Sequence, residues 1–175
     1  GASGFAGSVI VKHLLKRDDI ETLAIIRSSA TAWELSRYAI PMRSVDILQP
    51  DQIKEALTGV THVVNCTRGD NETMFRGLKN LLTVSKECGV TRFVHLSSVA
   101  VYGDPPSSDS VNEDGATVPG KNTYGWIKLK QDQLVEQAHV KGLSSIIVCP
   151  PNITGPDSPF LLQVLDAMKN NRLAL

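Results

Sequence analysis

The chain has 175 residues, 42% of them hydrophobic and 21% charged, the balance of an ordinary soluble globular protein with room for one full core. Lys+Arg and Asp+Glu both number 18, so no net field draws the chain to nucleic acid or to an anionic membrane surface. No apolar run approaches the roughly 20 residues of a membrane span. The three cysteines, Cys66, Cys88 and Cys149, form no C-x-x-C motif, so free thiols in a reducing, cytoplasmic compartment are expected.

Gly1-Ala-Ser-Gly4-Phe5-Ala6-Gly7 reads as a glycine-rich turn, and 8–16 as a helix with Val9, Ile10, His13 and Leu14 at helical spacing. Glycines let a backbone turn tightly and approach a phosphate. A helix opening at that point offers unpaired N–H groups and the positive end of its dipole. The spacing is Gly-x-x-Gly-x-x-Gly, not the common Gly-x-Gly-x-x-Gly fingerprint. Such a turn ordinarily follows a strand, so the sheet is expected to lack its first strand and to carry a central gap.

Residues 22–26 (TLAII) read as a short buried strand closed by Arg27-Ser28. In dinucleotide folds the residue ending the second strand reads the adenosine ribose. An acid there accepts from the 2′-hydroxyl, whereas Arg27 suits a 2′-phosphate, so NADP is the expected cofactor and NAD the alternative. Strands follow at 42–47, ending in Asp46-Ile47, at 61–66 (THVVNC) and at 91–96 (TRFVHL). Helices lie between them at 50–57, with proline in its first turn, and at 71–88. The second of these places Phe75, Leu78, Leu82 and Val84 or Ser85 on one stripe and stops at Gly89. This alternation indicates an α/β protein with a doubly wound parallel sheet covered on both faces. Ligands of such sheets bind at the carboxyl ends of the strands, where Arg27, Asp46, Cys66, Thr67 and Ser98 all fall.

Residues 103–122, rich in Pro, Ser and Gly, read as a long loop shaping a substrate entrance. The helix expected at 123–140 has Ile127, Leu134, Val135 and Ala138 on its apolar side and opens with Tyr124-Gly-Trp-Ile-Lys128. Tyrosine and lysine four apart share one face. A phenol has an ordinary pKa of about 10, and lowering it by three units takes about 4 kcal/mol of differential stabilisation, which a fixed ammonium can contribute. With Ser98 holding a substrate oxygen, the set suits proton transfer at an alcohol or ketone. A strand at 145–149 leads into the rigid loop Pro150-Pro151-Asn152-Ile-Thr-Gly155-Pro156, and 160–169 form a last amphipathic helix. His13, His62, His95 and His139 show no ligand spacing, so no metal is expected. Trp33, Trp126 and Tyr102 read as packing residues, and Lys12, Lys16, Arg17 and Lys130 as solvated faces.

Together these stretches resemble the extended short-chain dehydrogenase/reductases, the NAD(P)-dependent epimerase/dehydratase family, from Gly1 to about Pro156. The resemblance rests on Gly1–Gly7, Asp46-Ile47, Gly77-Leu-Lys-Asn80, Ser97-Ser98-Val-Ala-Val-Tyr102-Gly103, Asn112-Glu113-Asp114, Tyr124-x-x-x-Lys128 and Pro150-Pro-Asn152. It implies a Rossmann-type cofactor domain at 1–156 and the start of a small substrate-binding region at 157–175. By that resemblance Gly1, Gly4, Phe5, Ala6 and Gly7 cradle the pyrophosphate, and Arg27 with Ser28 meets the adenosine end. Asp46 and Ile47 flank adenine, while Cys66 and Thr67 line the cofactor channel. Ser98, Tyr124 and Lys128 form the catalytic set, Pro150 lies against nicotinamide, and Asn152 faces the substrate.

The implied substrate is a small molecule, foremost a nucleotide sugar, with a homodimer compatible with the family. Alternatives are an NADPH-dependent reductase or dehydrogenase of ketones or hydroxysteroids and, in another class, a catalytically silent cofactor sensor. Val99-Ala100 replace the Asp-Glu pair that family dehydratases often carry after the hydroxyl residue, which argues against that elimination chemistry. Met74, Cys149 and Asn65 stand where the family often has asparagine, arginine and histidine.

Overall fold

The computed structural model describes residues 1–103 and 112–172. Of the expected 103–122 loop, residues 104–111 lie outside the described residues, as do 173–175 at the end of the expected substrate region.

Among the described residues five short strands alternate with helices. They are β1 (Ala24–Ile26), β2 (Met42–Ser44), β3 (His62–Asn65), β4 (Arg92–Leu96) and β5 (Ser145–Val148). All pairings are parallel, with β1 beside β2 in one sheet and β3-β4-β5 in another. Among the described residues, no strand pairs with the second edge of β1 or of β3. The glycine turn bridges the two sheets at their carboxyl ends. The N–H groups of Gly1 and Ala2 point to the Ile25 carbonyl at 3.4 and 3.3 Å, and Gly1 packs against the Cys66 backbone. β1-β2 and β3-β4-β5 are thus separate sheets, joined at the carboxyl ends of their strands by the glycine turn.

The helices are α1 (Phe5–Leu14), α2 (Pro50–Leu57), α3 (Leu78–Glu87), α4 (Tyr124–Val140) and α5 (Pro159–Lys169). Alternation along the strands sends Val63 and Phe93 into the main core. There they meet Ile53 and Leu57 of α2, Leu78, Leu81, Leu82 and Val84 of α3, and Val135 of α4. A second cluster, Val11, Ala24, Ile26, Ala32, Leu35 and Ile40, fixes α1 to β1 and the segment after it. No residue of α5 is buried.

Four expectations need correction. Trp33 is 68% exposed, because the short 3-10 turns around it direct Ala32 and Leu35 inward instead. Lys12 is not simply solvated; its ammonium bonds Glu34 at 2.7 Å and pins α1 to that segment. The helix at 71–88 is interrupted by a π turn at Thr73–Gly77, where Gln131 Nε2 of α4 donates to the Met74 carbonyl at 2.7 Å. A side chain inserted into the backbone ladder is a recognised cause of such a widened turn.

The fourth correction concerns α4. Its most buried stripe is Lys128, Gln131, Asp132 and Val135, while Ile127, Leu134 and Ala138 are only partly covered. The helix therefore presents mostly polar groups to the interior, and each of them needs a partner.

Candidate active site

Parallel pairing in register puts the residues after each strand on one edge. Arg27 and Ser28 follow β1, Asp46 follows β2, Cys66 and Thr67 follow β3, Ser97 and Ser98 follow β4, and Cys149 and Pro150 follow β5.

The glycine turn meets this edge from below α1. A Cβ on Gly1 would lie 2.5 Å from the Cys66 carbonyl carbon, and one on Gly7 would strike the Gly1 carbonyl oxygen. Only glycine allows both approaches. Gly4 caps α1 without a side-chain hydrogen bond, so the first helical N–H groups face the same edge. A dinucleotide pyrophosphate fits this cradle of bare backbone and helix N-terminus. Gly1, Gly4, Phe5, Ala6 and Gly7 are thereby brought together as expected.

At the end of β1 Arg27 is exposed and, among the described residues, held in no ion pair. Its charge reaches Asp70 across the edge and helps keep that carboxyl low, after the hydrogen bonds from Thr73. Ser28 caps the 3-10 turn that follows, accepting from Ala30 N–H. Asp46 Oδ1 accepts from the Leu48 N–H at 2.9 Å. Ile47 packs so closely on Gly77 that a Cβ there would come within 2.6 Å of Ile47 Cδ1, and Asn80 Nδ2 donates to the Ile47 carbonyl at 3.2 Å.

The serine pair divides its labour. Ser98 is partly exposed and caps the 3-10 turn Val99–Tyr102, accepting from the Ala100 N–H at 3.2 Å. Ser97 is buried and donates to Asp132 Oδ2 at 2.6 Å. The turn after Ser98 touches α4 directly, since a Cβ on Gly125 would strike the Ala100 carbonyl oxygen. Tyr124 opens α4 beside this contact, with Thr123 Oγ1 capping the helix through the Trp126 N–H. The absence of a side chain at Gly125 is what brings the tyrosine to the serine turn.

Tyr124 remains 44% exposed. Burial pushes its phenol above the usual value, and the Arg68 guanidinium, 5.5 Å from the ring centroid, pulls it back. Lys128 is 4% exposed, and its Nζ donates to the Leu96 carbonyl at 2.8 Å. Burial lowers the ammonium, and the Asp132 carboxylate is the largest opposing influence. The cation facing the phenol in this structure is thus Arg68, with Lys128 set deeper, between β3, β4 and β5. Burial raises the thiols of Cys66 and Cys149, so neither is a ready nucleophile.

Beneath Lys128 lies a buried polar cluster. The Asn65 side chain meets His95 Nδ1 at 3.0 Å and accepts from the Thr67 N–H at 3.1 Å. His95 Nε2 stands 3.7 Å from Asp132 Oδ1. Burial, helped by Lys128, pushes His95 down to about 3, so its ring is neutral. Burial pushes Asp132 up to about 6. Pro150 lends its carbonyl to the Val99 N–H at 3.1 Å, and Asn152 is exposed on the loop beyond. Tyr102 is buried, and Trp126 meets Phe75 edge-on at 6.5 Å. Lys130 Nζ lies over the same indole, 5.7 Å from the Trp126 ring centroid, so this lysine is not simply solvated.

Sequence reading passed over Arg68, Ser97, Gln131 and Asp132. Asp132 had a signal, because Tyr124, Lys128 and Asp132 repeat at intervals of four along one helix. Arg68 had none, since it follows β3 and meets Tyr124 only through the fold.

A model of the NAD dependent epimerase/dehydratase family matches residues 1–174. The chain belongs to that family. It is 27% identical to a 4-hydroxy-2-methyl-3-oxo-4-farnesyl-3,4-dihydroquinoline-1-oxide ketoreductase of Stigmatella aurantiaca, over 98% of this chain and 54% of the relative. It is 28% identical to a UDP-glucose 4-epimerase of Azospirillum brasilense, over 90% of this chain and 49% of the relative. The fold matches a UDP-glucuronic acid 4-epimerase from Bacillus cereus in complex with NAD, with a TM-score of 0.80, 22% identity, and coverage of 98% of this chain and 62% of that one. The chain thus spans about half the length of these curated relatives. No helix among its described residues is long and apolar enough to cross a membrane.

Proposed function

We propose that this chain is the cofactor-binding part of an NADP(H)-dependent oxidoreductase or epimerase acting at a secondary alcohol or ketone carbon, with NAD as the alternative cofactor. The observation that supports the reading is the close approach of Gly125 to the Ala100 carbonyl, between the residue after Tyr124 and the turn that Ser98 caps. When bound, the dinucleotide supplies the hydride chemistry. Gly1, Gly4, Phe5, Ala6 and Gly7 hold its pyrophosphate, Arg27 and Ser28 its adenosine ribose, and Asp46 and Ile47 its adenine. Cys66, Thr67 and Pro150 line the channel between.

Ser98 orients the substrate oxygen, and the Tyr124 phenol gives or takes its proton. Lys128 anchors the nicotinamide ribose and adds positive charge below the phenol. Asn152 faces the substrate. Residues 1–156 are the cofactor domain in this reading and 157–175 the start of a substrate region, in keeping with an α5 that buries no residue.

A nucleotide sugar is the first substrate reading. An apolar ketone is the second, favoured by Val99, which lies next to Ser98 and is 37% exposed, and by Arg27, since NADPH suits net reduction. The experiment follows nicotinamide absorbance in the full-length protein with a panel of nucleotide sugars and ring ketones, beside Tyr124→Phe. Loss of turnover in that variant, with dinucleotide binding kept, is expected; surviving turnover removes Tyr124 from the chemistry. Arg27→Asp is expected to reverse an NADP preference, and an unchanged NADP-to-NAD affinity ratio removes Arg27 from the adenosine site.

A further inference from the structure

We infer that Asp132 is a positioning residue for the site, a buried carboxylate that keeps Lys128 charged and ties the end of β4 to α4. This rests on the proposed function and goes beyond it, because Asp132 touches neither substrate nor cofactor in that scheme.

The geometry has two parts. Asp132 follows Lys128 by four residues on α4, so both side chains project from one face within a turn of each other. Both are buried, and among the described residues the ammonium's hydrogen bond goes to the Leu96 carbonyl, a neutral acceptor. A buried cation with no counter-charge tends to lose its proton. Asp132 is the counter-charge available. The second part is the Ser97–Asp132 hydrogen bond of 2.6 Å, charge-assisted and sealed from water. It joins the residue beside Ser98 to the helix that carries Tyr124. One carboxylate therefore links all three members of the proposed catalytic set.

The neighbours of both groups are consistent with this. Lys128 is faced by Cys66 and Arg68 from beyond β3, His95 on β4, Cys149 beyond β5 and Asp132 on its own helix. Asp132 is faced by His95 on β4, Ser97 just after it, Tyr102 from the 3-10 turn, Cys149, and Lys128 and Glu136 on α4. His95 is neutral and the thiols are held protonated by burial, so of these groups Asp132 is the one that supplies negative charge, and it is the largest influence holding the ammonium up. Asp132 itself is ionised above about 6, which covers neutral and alkaline conditions.

The test uses the full-length protein and measures NADPH affinity by fluorescence across pH, with turnover measured in parallel. Binding is expected to weaken at alkaline pH as Lys128 loses its proton. Asp132→Asn keeps an acceptor for Ser97 but removes the charge, so this limb moves to lower pH by about one unit or more. Affinity then differs by about tenfold at a pH between the two limbs. Asp132→Glu, which keeps the charge, is expected to hold the limb near its original place. Ser97→Ala, which keeps the charge and loses the hydrogen bond, is expected to lower turnover without moving the limb.

An unmoved limb in folded Asp132→Asn overturns the inference, as does an equal shift in Ser97→Ala. A purely structural Asp132 would weaken binding at every pH alike. Should Asp132→Asn fail to fold, Asp132→Ser, which leaves a hydroxyl for Ser97, is read by the same criterion. Tyr124→Phe separates the two claims: turnover surviving there sinks the functional reading, whereas the binding limb reports on Asp132 alone.

Discussion

The Arg68 guanidinium carbon stands 5.5 Å from the centroid of the Tyr124 ring, a cation over the face of the residue that opens α4. Arg68 comes from the segment after β3 and Tyr124 from 56 positions later, so only the closed sheet edge brings them together. The charge favours the phenolate, and burial opposes it.

Replacing Arg68 tests that balance. Arg68→Gln removes the cation and leaves a polar side chain, so the phenol pKa rises. The limb of the pH–rate profile that requires ionised Tyr124 is expected to move to higher pH. Turnover at neutral pH is expected to fall, because less of the phenol is ionised once the cation is gone. A pH–rate profile that overlays the wild type would remove Arg68 from the site.

Gly125 gives a steric test of the same region. Gly125→Ala would normally favour a helix by about 0.5–1 kcal/mol. Here the new methyl meets a backbone carbonyl at Ala100, which has no rotamer to yield. Overpacking of this kind costs about 1–3 kcal/mol, so the clash outweighs the propensity gain. Chemical denaturation is expected to show a net loss of stability. Because α4 and the Ser98 turn are pushed apart, kcat is expected to fall by at least about tenfold. Unchanged stability and kcat would mean the contact is not maintained in solution.

His95 sets an acid-side prediction. Its folded pKa is about 3 against an ordinary 6.5, so the unfolded chain takes up a proton that the folded one refuses. Its contribution is intact above 6.5 and is lost as pH falls through the window down to about 3. Asp132, raised from 3.8 to about 6, acts in the opposite direction over its own window and offsets part of the loss. His95→Asn takes up no proton, so it is expected to lose less stability than the wild type between pH 6.5 and 3. Urea titrations at several pH values read the difference; parallel curves for the two proteins would place His95 outside the acid response.

Much of the architecture was legible because hydrophobic patterning and punctuation agree along this chain. Apolar runs at β1, β3, β4 and β5 alternate with helices closed by Gly89 and opened by Pro50, and the strand ends fall where carboxyl-edge ligand residues belong. The glycine turn was legible for a related reason. Bare backbone at Gly1 and Gly7 answers a crowding that any side chain would worsen. What escaped was the interior of α4. Of the expected apolar side Ile127, Leu134, Val135 and Ala138, Val135 is fully buried, but the others are less covered than Lys128, Gln131 and Asp132. Polar residues give no hydrophobic signal, and their partners at Leu96, Met74 and Ser97 lie on other elements. Trp33 failed in the opposite sense, since its size suggested a core that Leu35 and Ala32 occupy instead.

The π turn at Thr73–Gly77 sets the angular phase of everything downstream on its helix. Each residue of an α-helix advances by about 100°, so one residue absorbed by a widened turn rotates the following helix by that amount. Gly77 and Asn80 face the Ile47 backbone and side chain only in this phase. Deleting one residue within the turn would restore a regular helix and swing Asn80 away from Ile47. Gln131 would be left without its carbonyl at the same stroke. The segment after β2 and the buried face of α4 are therefore aligned to each other by a single irregular turn, as two hands of a clock are set by one gear.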